Sequence, residues 1–82
     1  MEWQEVPSDT MLIWTANSSD NIHSYVVARQ PPMLYYWASV FKVDKSNPFL
    51  HRQMRLDLGD EFIAKCDAIE ECERWDQHKN LN

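Results

Sequence analysis

The segment from residue 33 to residue 43, MLYYWASVFKV, limits the fold more than any other part of this chain. Its β-branched and aromatic residues are typical of a strand, and both sides of that strand are apolar. One side carries Leu34, Tyr36, Ala38 and Val40, and the other carries Met33, Tyr35, Trp37, Phe41 and Val43. A helix covers one face of a small sheet, and the other face is normally polar. The second apolar side is therefore predicted either to be closed by other parts of the chain or to bind a partner.

Four more segments show the composition or alternation of a strand, with proline, glycine or other turn formers beside them. They are residues 2–6, 11–16, 22–30 and 50–58. The turn formers NSSDN predict a hairpin between the second and third of these segments. Pro31-Pro32 is predicted to end the third one, because proline donates no ladder hydrogen bond. Gly59 and Asp60 are predicted to bend the chain before residues 61–64, a short strand or an extended lead into a helix.

The segment KCDAIEECERWD, residues 65–76, predicts a helix over residues 67–79. Asp67 is the expected N-cap, and Glu70 is its expected capping-box partner. Glu70 and Arg74 have the spacing of an i,i+4 ion pair. The apolar residues recur at helical spacing and form one stripe, which consists of Ala68, Ile69, Cys72 and Trp75.

Together these elements predict an α+β fold in a single small domain of residues 1–82. An antiparallel sheet of about four strands lies within residues 2–64, and the C-terminal helix packs on one of its faces. A second interpretation places a helix at residues 47–54, with Asn47 as its N-cap and Pro48 in its first turn. The alternation over residues 50–58 favours the strand.

The formal net charge of −5 argues against general binding to nucleic acids or to anionic membranes. The negative charge is concentrated in residues 57–76, which hold eight acids but only Lys65 and Arg74 as bases. One interpretation of these acids is a solvated helix face. The other is a surface that binds a basic groove, including a groove that normally holds DNA or RNA.

The chain carries no motif of a catalytic or cofactor site. Its single glycine, Gly59, excludes glycine-rich phosphate loops and the GxSxG turn in their standard forms. Cys66, Cys72 and the histidines do not have standard zinc spacing. The acids near Cys66 also oppose formation of a reactive thiolate. We therefore predict no enzyme, no cofactor and no metal, and keep a small Cys/His enzyme or metal protein as the third alternative.

The N-terminal residues do not have the pattern of a signal peptide, and no apolar run reaches the ~20 residues that span a bilayer. These observations predict a cytoplasmic protein with reduced thiols.

Four pieces of the sequence recur together in one kind of protein: IWTA (13–16), SYVV (24–27), YYWASV (35–40) and DLGDEFIAKCDAIEECERW (57–75). In this frame the chain resembles small accessory proteins of bacteriophages and prophages. Pro31-Pro32 and Cys72 depart from the frame, which often has glycine and alanine there. The resemblance implies a sheet-plus-helix fold, a mobile-element origin and binding to host machinery, such as CRISPR or restriction systems. It carries over no catalytic residue.

The function predicted from the sequence is therefore that of a non-enzymatic protein-binding module, such as a phage inhibitor of a host defence protein. The runner-up is an acidic nucleic-acid mimic. The candidate partner-binding residues are Tyr35, Trp37 and Phe41 on the apolar strand, and Glu70, Glu71 and Glu73 on the helix. No direct contact with nucleic acid or membrane is expected, and a homodimer through the second sheet face would use the same aromatic patch.

Overall fold

The computed structural model describes residues 1–44 and 52–79. In these ranges the chain forms five strands and one helix: β1 (Gln4–Val6), β2 (Leu12–Asn17), β3 (His23–Arg29), β4 (Tyr36–Asp44), β5 (Arg52–Phe62) and α1 (Lys65–His78). The strands make one antiparallel sheet in the order of the chain. The predicted α+β fold is confirmed, and the sheet has five strands where about four were predicted.

The core lies between α1 and one face of the sheet. Its buried residues are Tyr25, Val27, Ala38, Val40, Ala68 and Cys72. Ala68 and Cys72 are small, so α1 can approach the strands closely. Larger side chains then surround this centre, and they are Trp3, Trp14, Tyr36, Leu58, Phe62, Ile69 and Trp75. The predicted apolar stripe of the helix is confirmed, since all four of its residues belong to the core or pack against it.

The predicted bend at Gly59 and Asp60 is wrong, because β5 continues through both residues to Phe62. The register between β4 and β5 shifts instead, so that Ser39 lies opposite Asp57 while Ala38 lies opposite Gly59. Gly59 has φ 154°, a conformation that side-chain-bearing residues rarely adopt. A Cβ at this position would lie 2.7 Å from the ring of Phe62. The glycine therefore marks a bulge within a strand and not a turn after one.

The helix begins at Lys65, before the predicted start, and its N-cap is Ala64. Asp67 is not the N-cap, and Ala64 makes no side-chain cap hydrogen bond. Since Asp67 lies inside the first turn, the helix dipole still favours its charge. The ion pair predicted between Glu70 and Arg74 is also wrong, because Arg74 donates to Glu71 one turn away, at 2.5 Å.

Two predictions fall partly outside the described residues. The alternative helix at 47–54 is wrong for residues 52–54, because these belong to β5. Its residues 47–51 lie outside the described residues. The predicted strand over 50–58 is confirmed from residue 52 onwards, whereas Leu50 and His51 lie outside the described residues.

Candidate partner-binding surface

The three aromatic residues singled out from the sequence lie on the sheet face that points away from α1. Strand alternation places them there, because Tyr36, Ala38 and Val40 contact the helix side of the core. Tyr35 is 48% exposed, whereas Trp37 and Phe41 are half-buried. We call this side of the sheet the open face, since α1 packs on the opposite side.

Tyr35 and Trp37 line a hollow of about 540 Å³ on the open face. Met33 borders the hollow on the side of the loop that precedes β4. The bulged part of β5, from Arg55 to Asp60, forms the facing wall. Phe41 lies on the same face in register with Arg55, but it is not part of the hollow.

On the open face, the side chains at the middle of the sheet are buried, whereas those at the end where β4 begins are exposed. Ala28 and Ser39 are buried even though the helix lies on the other side. The Ser39 hydroxyl donates to Asp57 across the strands, at 3.1 Å. By contrast, Met33 and Tyr35, which line the hollow, are 59% and 48% exposed. An apolar ligand therefore has access at this end of the sheet and not at its centre.

The rim of the hollow is acidic. Arg55 donates through Nε to Asp57 at 2.8 Å, so these two charges are paired on the surface. Asp60 adds a second carboxylate to the same wall. The hollow thus combines an aromatic and thioether floor with a rim of one net negative charge, which suits an apolar group with a cation beside it.

The acidic candidates lie on the helix, on the other side of the molecule. Glu70 is exposed, Glu71 is paired with Arg74, and Glu73 lies 3.7 Å from the main-chain amine of Met1. The sheet separates these carboxylates from Tyr35 and Trp37. The two sets of candidates therefore cannot contact one small epitope together.

Sequence reasoning missed a cluster of charged side chains at the C-terminal end of α1. Lys79 is its centre: Nζ donates to Asp76 at 2.5 Å and to the hydroxyl of Ser18, and lies 3.0 Å from Asp20. The Tyr25 hydroxyl also donates to Asp76, at 2.5 Å. This cluster joins the helix end to the turn between β2 and β3.

Asp20 organises that turn. It accepts hydrogen bonds from the main-chain N–H groups of Ile22 and His23, at 2.8 and 3.0 Å, and its other oxygen is 2.5 Å from Nδ1 of His23. Such a side-chain-to-backbone loop is a common turn of aspartate. The spacing of Asp20 and His23 is visible in the sequence, but the contact of Asp20 with Lys79 is not, because Lys79 lies on a distant element.

The pKa values in the cluster follow from these contacts. Burial alone would raise the pKa of Asp20 and Asp76, but the donors around them hold both pKa values below the usual range. Burial alone would lower the pKa of Lys79, but Asp76 and Asp20 raise it above its usual range. Burial and the carboxylate of Asp76 raise the pKa of the Tyr25 hydroxyl. Each group keeps its ordinary charge at neutral pH, and the contacts are those of a stabilising network.

The two cysteines differ in their exposure to solvent. Cys72 is buried, and burial, together with the charges of Glu71 and Glu73, raises the pKa of its thiol to about 12. Cys66 is exposed beside the start of α1. Within residues 1–44 and 52–79, no three His, Cys, Asp or Glu side chains are grouped closely enough to hold a metal ion. Over the same ranges, no helix has the length and apolar character needed to cross a membrane.

No family model, curated protein or solved structure matches this chain. The features of the chain that bear on its function are therefore the hollow, its rim and the charges on the opposite side.

Proposed function

We propose that this protein is a non-enzymatic protein-binding module that holds a segment of another protein in the hollow on its open face. The observation that carries the proposal is the exposure of Met33 and Tyr35, which line the hollow together with Trp37. Aromatic residues and methionine are enriched at the centres of protein interfaces. Contiguous apolar groups of this kind commonly mark binding sites on small proteins.

The rim defines the kind of segment that fits. An apolar side chain of the partner would enter between Tyr35 and Trp37 and displace water from both rings. A lysine or arginine beside it would face Asp60, because Asp57 is already paired with Arg55. The expected ligand is therefore a basic and apolar stretch of polypeptide, held mainly by burial of apolar area and oriented by charge.

The ion pairs within the chain favour this function over a nucleic-acid mimic. A mimic needs carboxylates that are available to a basic groove. Glu71 is paired with Arg74, Asp76 with Lys79 and Asp57 with Arg55. The pairing within the chain reduces the negative potential that a DNA- or RNA-binding groove would meet. The resemblance to phage accessory proteins makes a host protein, such as a defence protein, the expected class of partner.

The test is site-specific photo-crosslinking combined with affinity capture from a bacterial lysate. A photoreactive phenylalanine at position 35 should crosslink one host protein, whereas the same probe at exposed Ile63, outside the hollow, should not. The Tyr35→Ala and Trp37→Ala variants should each weaken binding to the captured protein by about 30-fold, the loss typical of an interface hot spot. Ile63→Ala is the matched control.

Salt and charge reversal distinguish the rival function. Binding through the hollow should persist at ~0.5 M salt, where exposed charges are largely screened. It should also persist when Glu70, Glu71 and Glu73 are all changed to lysine. If this triple variant or the salt abolishes capture while Tyr35→Ala does not, the acidic surface is the binding site and the proposal is wrong.

A further inference from the structure

The β5 strand is the long edge of the sheet. It covers Arg52–Phe62, 11 residues, whereas the opposite edge strand β1 has 3. In the part of the chain that the structure describes, no strand pairs with the outer side of β5. An edge of this length presents main-chain N–H and C=O groups to any strand that can align with it.

Two apolar side chains beside this edge are exposed on the helix side of the sheet. Met54 is 61% exposed and Leu56 is 51% exposed. They border a groove of about 300 Å³ whose far wall is Trp75 of α1. An occupant of the edge must therefore supply both a strand and apolar groups on the helix side.

We propose that the occupant is a second copy of this chain, paired antiparallel through β5 about a two-fold axis at Leu56. A two-fold axis perpendicular to the sheet keeps the helix sides of both copies together, so residues pair with others of the same strand face. The numbers of two residues that lie opposite each other then have the same sum for every pair. The axis passes midway between one residue of β5 and the same residue of the second copy.

The charges on β5 select that residue. An axis at position 55 would place Arg55 opposite its own copy, and an axis at 57 would do the same for Asp57. Like charges directly opposite each other destabilise a strand pair. An axis at Leu56 places Arg55 opposite Asp57 of the second copy, and it does so twice. Arg55 and Asp57, which pair within one chain at 2.8 Å, are therefore also complementary across the axis.

The same axis accounts for the exposed apolar residues. Leu56 lies opposite Leu56 of the second copy, before the bulge at Leu58, and Met54 lies on the same side of the strand. The two α1 helices lie on the same side of the joined sheet, and Met54 and Leu56 of both copies line the space between them. The two hollows lie side by side on the open face, where both remain accessible. The contact is short, so the dimer should be weak and concentration-dependent.

Disulfide trapping tests the position of the axis without touching the hollow. In a Cys66→Ser background, Leu56→Cys should form an intermolecular disulfide under mild oxidation. Residues opposite each other in an antiparallel pair have Cα atoms about 4.5–5.5 Å apart, which a disulfide can bridge. Ile63→Cys, at a position more exposed than Leu56 but outside the paired stretch, is the control and should remain monomeric under the same conditions.

Charge complementation tests the register. Sedimentation equilibrium between about 5 and 500 µM, the range of weak interfaces, should show a dimer of the wild type. Arg55→Asp and Asp57→Arg should each weaken self-association at least 10-fold, because each opposes like charges. Mixed together, the two variants should form a heterodimer, since both aspartates of one strand then face both arginines of the other.

Three results would overturn the proposal. The first is a wild type that stays monomeric up to about 500 µM, the upper limit for a weak interface. The β5 edge would then be expected to pair with a strand of another protein instead. The second is a disulfide that forms as fast at position 63 as at position 56. The third is a mixture of the two charge variants that associates no better than either alone.

Discussion

Replacing Lys79 by methionine should destabilise this protein far more than replacing an exposed lysine. Methionine keeps most of the length and apolar stem of the side chain but removes its charge and its donors. The Lys79 side chain is 6% exposed, and it lies between the carboxylates of Asp20 and Asp76. Without the ammonium group, the two carboxylates remain near each other in a partly buried place.

The size of the effect follows from the contacts that are lost. Lys79 donates to Asp76 at 2.5 Å and to Ser18, and it lies 3.0 Å from Asp20. Breaking a buried ion pair by removing one partner costs about 3–5 kcal/mol. Asp20 and Asp76 retain some solvent access, which reduces the cost to about 2–3 kcal/mol. For a domain of this size, each kcal/mol lowers the melting temperature by about 4–8 °C, so a decrease of about 10–20 °C is expected.

The measurement is urea denaturation at pH 7, with Lys65→Met as the matched control. Lys65 lies over the ring of Trp14 at 4.5 Å and is exposed, so its replacement should cost at most about 1 kcal/mol. Adding Asp76→Asn to Lys79→Met should recover part of the loss, because one uncompensated charge is removed. Equal losses for the two lysine variants would refute the assignment of Lys79 as the centre of the network.

Three further predictions concern pH and the bulge. Because the pKa values of Asp20 and Asp76 are lowered, their contribution to stability is complete above pH ~4, the usual aspartate range, and is lost as the pH falls below it. In acid denaturation, Asp20→Asn should therefore lose less stability with falling pH than the wild type. The raised pKa of Cys72, about 12, predicts that stability falls as the pH rises above ~8.5, where the thiol of the unfolded chain ionises. Cys72→Ala should remove this dependence of stability on pH, and an unchanged dependence would exclude the thiol as its cause. Gly59→Ala should cost about 1–3 kcal/mol, because of the positive φ and the contact with Phe62; Phe62→Leu in the same chain should recover only the part due to the contact, as measured by thermal unfolding.

Much of the fold could be predicted because its signals are local and periodic. The pattern of residues 33–43 identifies β4, although the strand begins only at Tyr36 and runs to Asp44, and the spacing of Ala68 and Cys72 identifies the buried side of α1. The same alternation placed Tyr35, Trp37 and Phe41 together on one face. The hollow itself could not be predicted, because its second wall is the bulged part of β5.

The errors have physical reasons as well. A glycine followed by an aspartate is the usual signal of a turn, and a bulge produces the same local signal, so Gly59 could not distinguish them. The N-cap is Ala64, three residues before Asp67, and Asp67 lies in the first turn, where the helix dipole also favours an acid; the residue type therefore could not distinguish the two positions. The bond between Tyr25 and Asp76 joins residues 51 positions apart, and no periodicity marks such a pair. The sequence pattern grouped the acids into one surface. In the structure they are divided between the rim of the hollow, the exposed side of the helix and the cluster around Lys79.

The direction of α1 connects the stabilising cluster with the two proposed surfaces. The helix starts just after Phe62, at the end of β5 that pairs with Tyr36. It ends where Lys79 meets Asp20 beside β3, at the opposite end of the sheet. A helix fixed at these two points must cross the sheet diagonally, and it covers the core residues along that diagonal. The corner of the sheet that holds Met54 and Leu56 lies outside the diagonal, so these side chains stay exposed. The hydrogen bonds of Lys79 therefore stabilise the fold and, through the helix direction, leave the β5 edge accessible to a second strand.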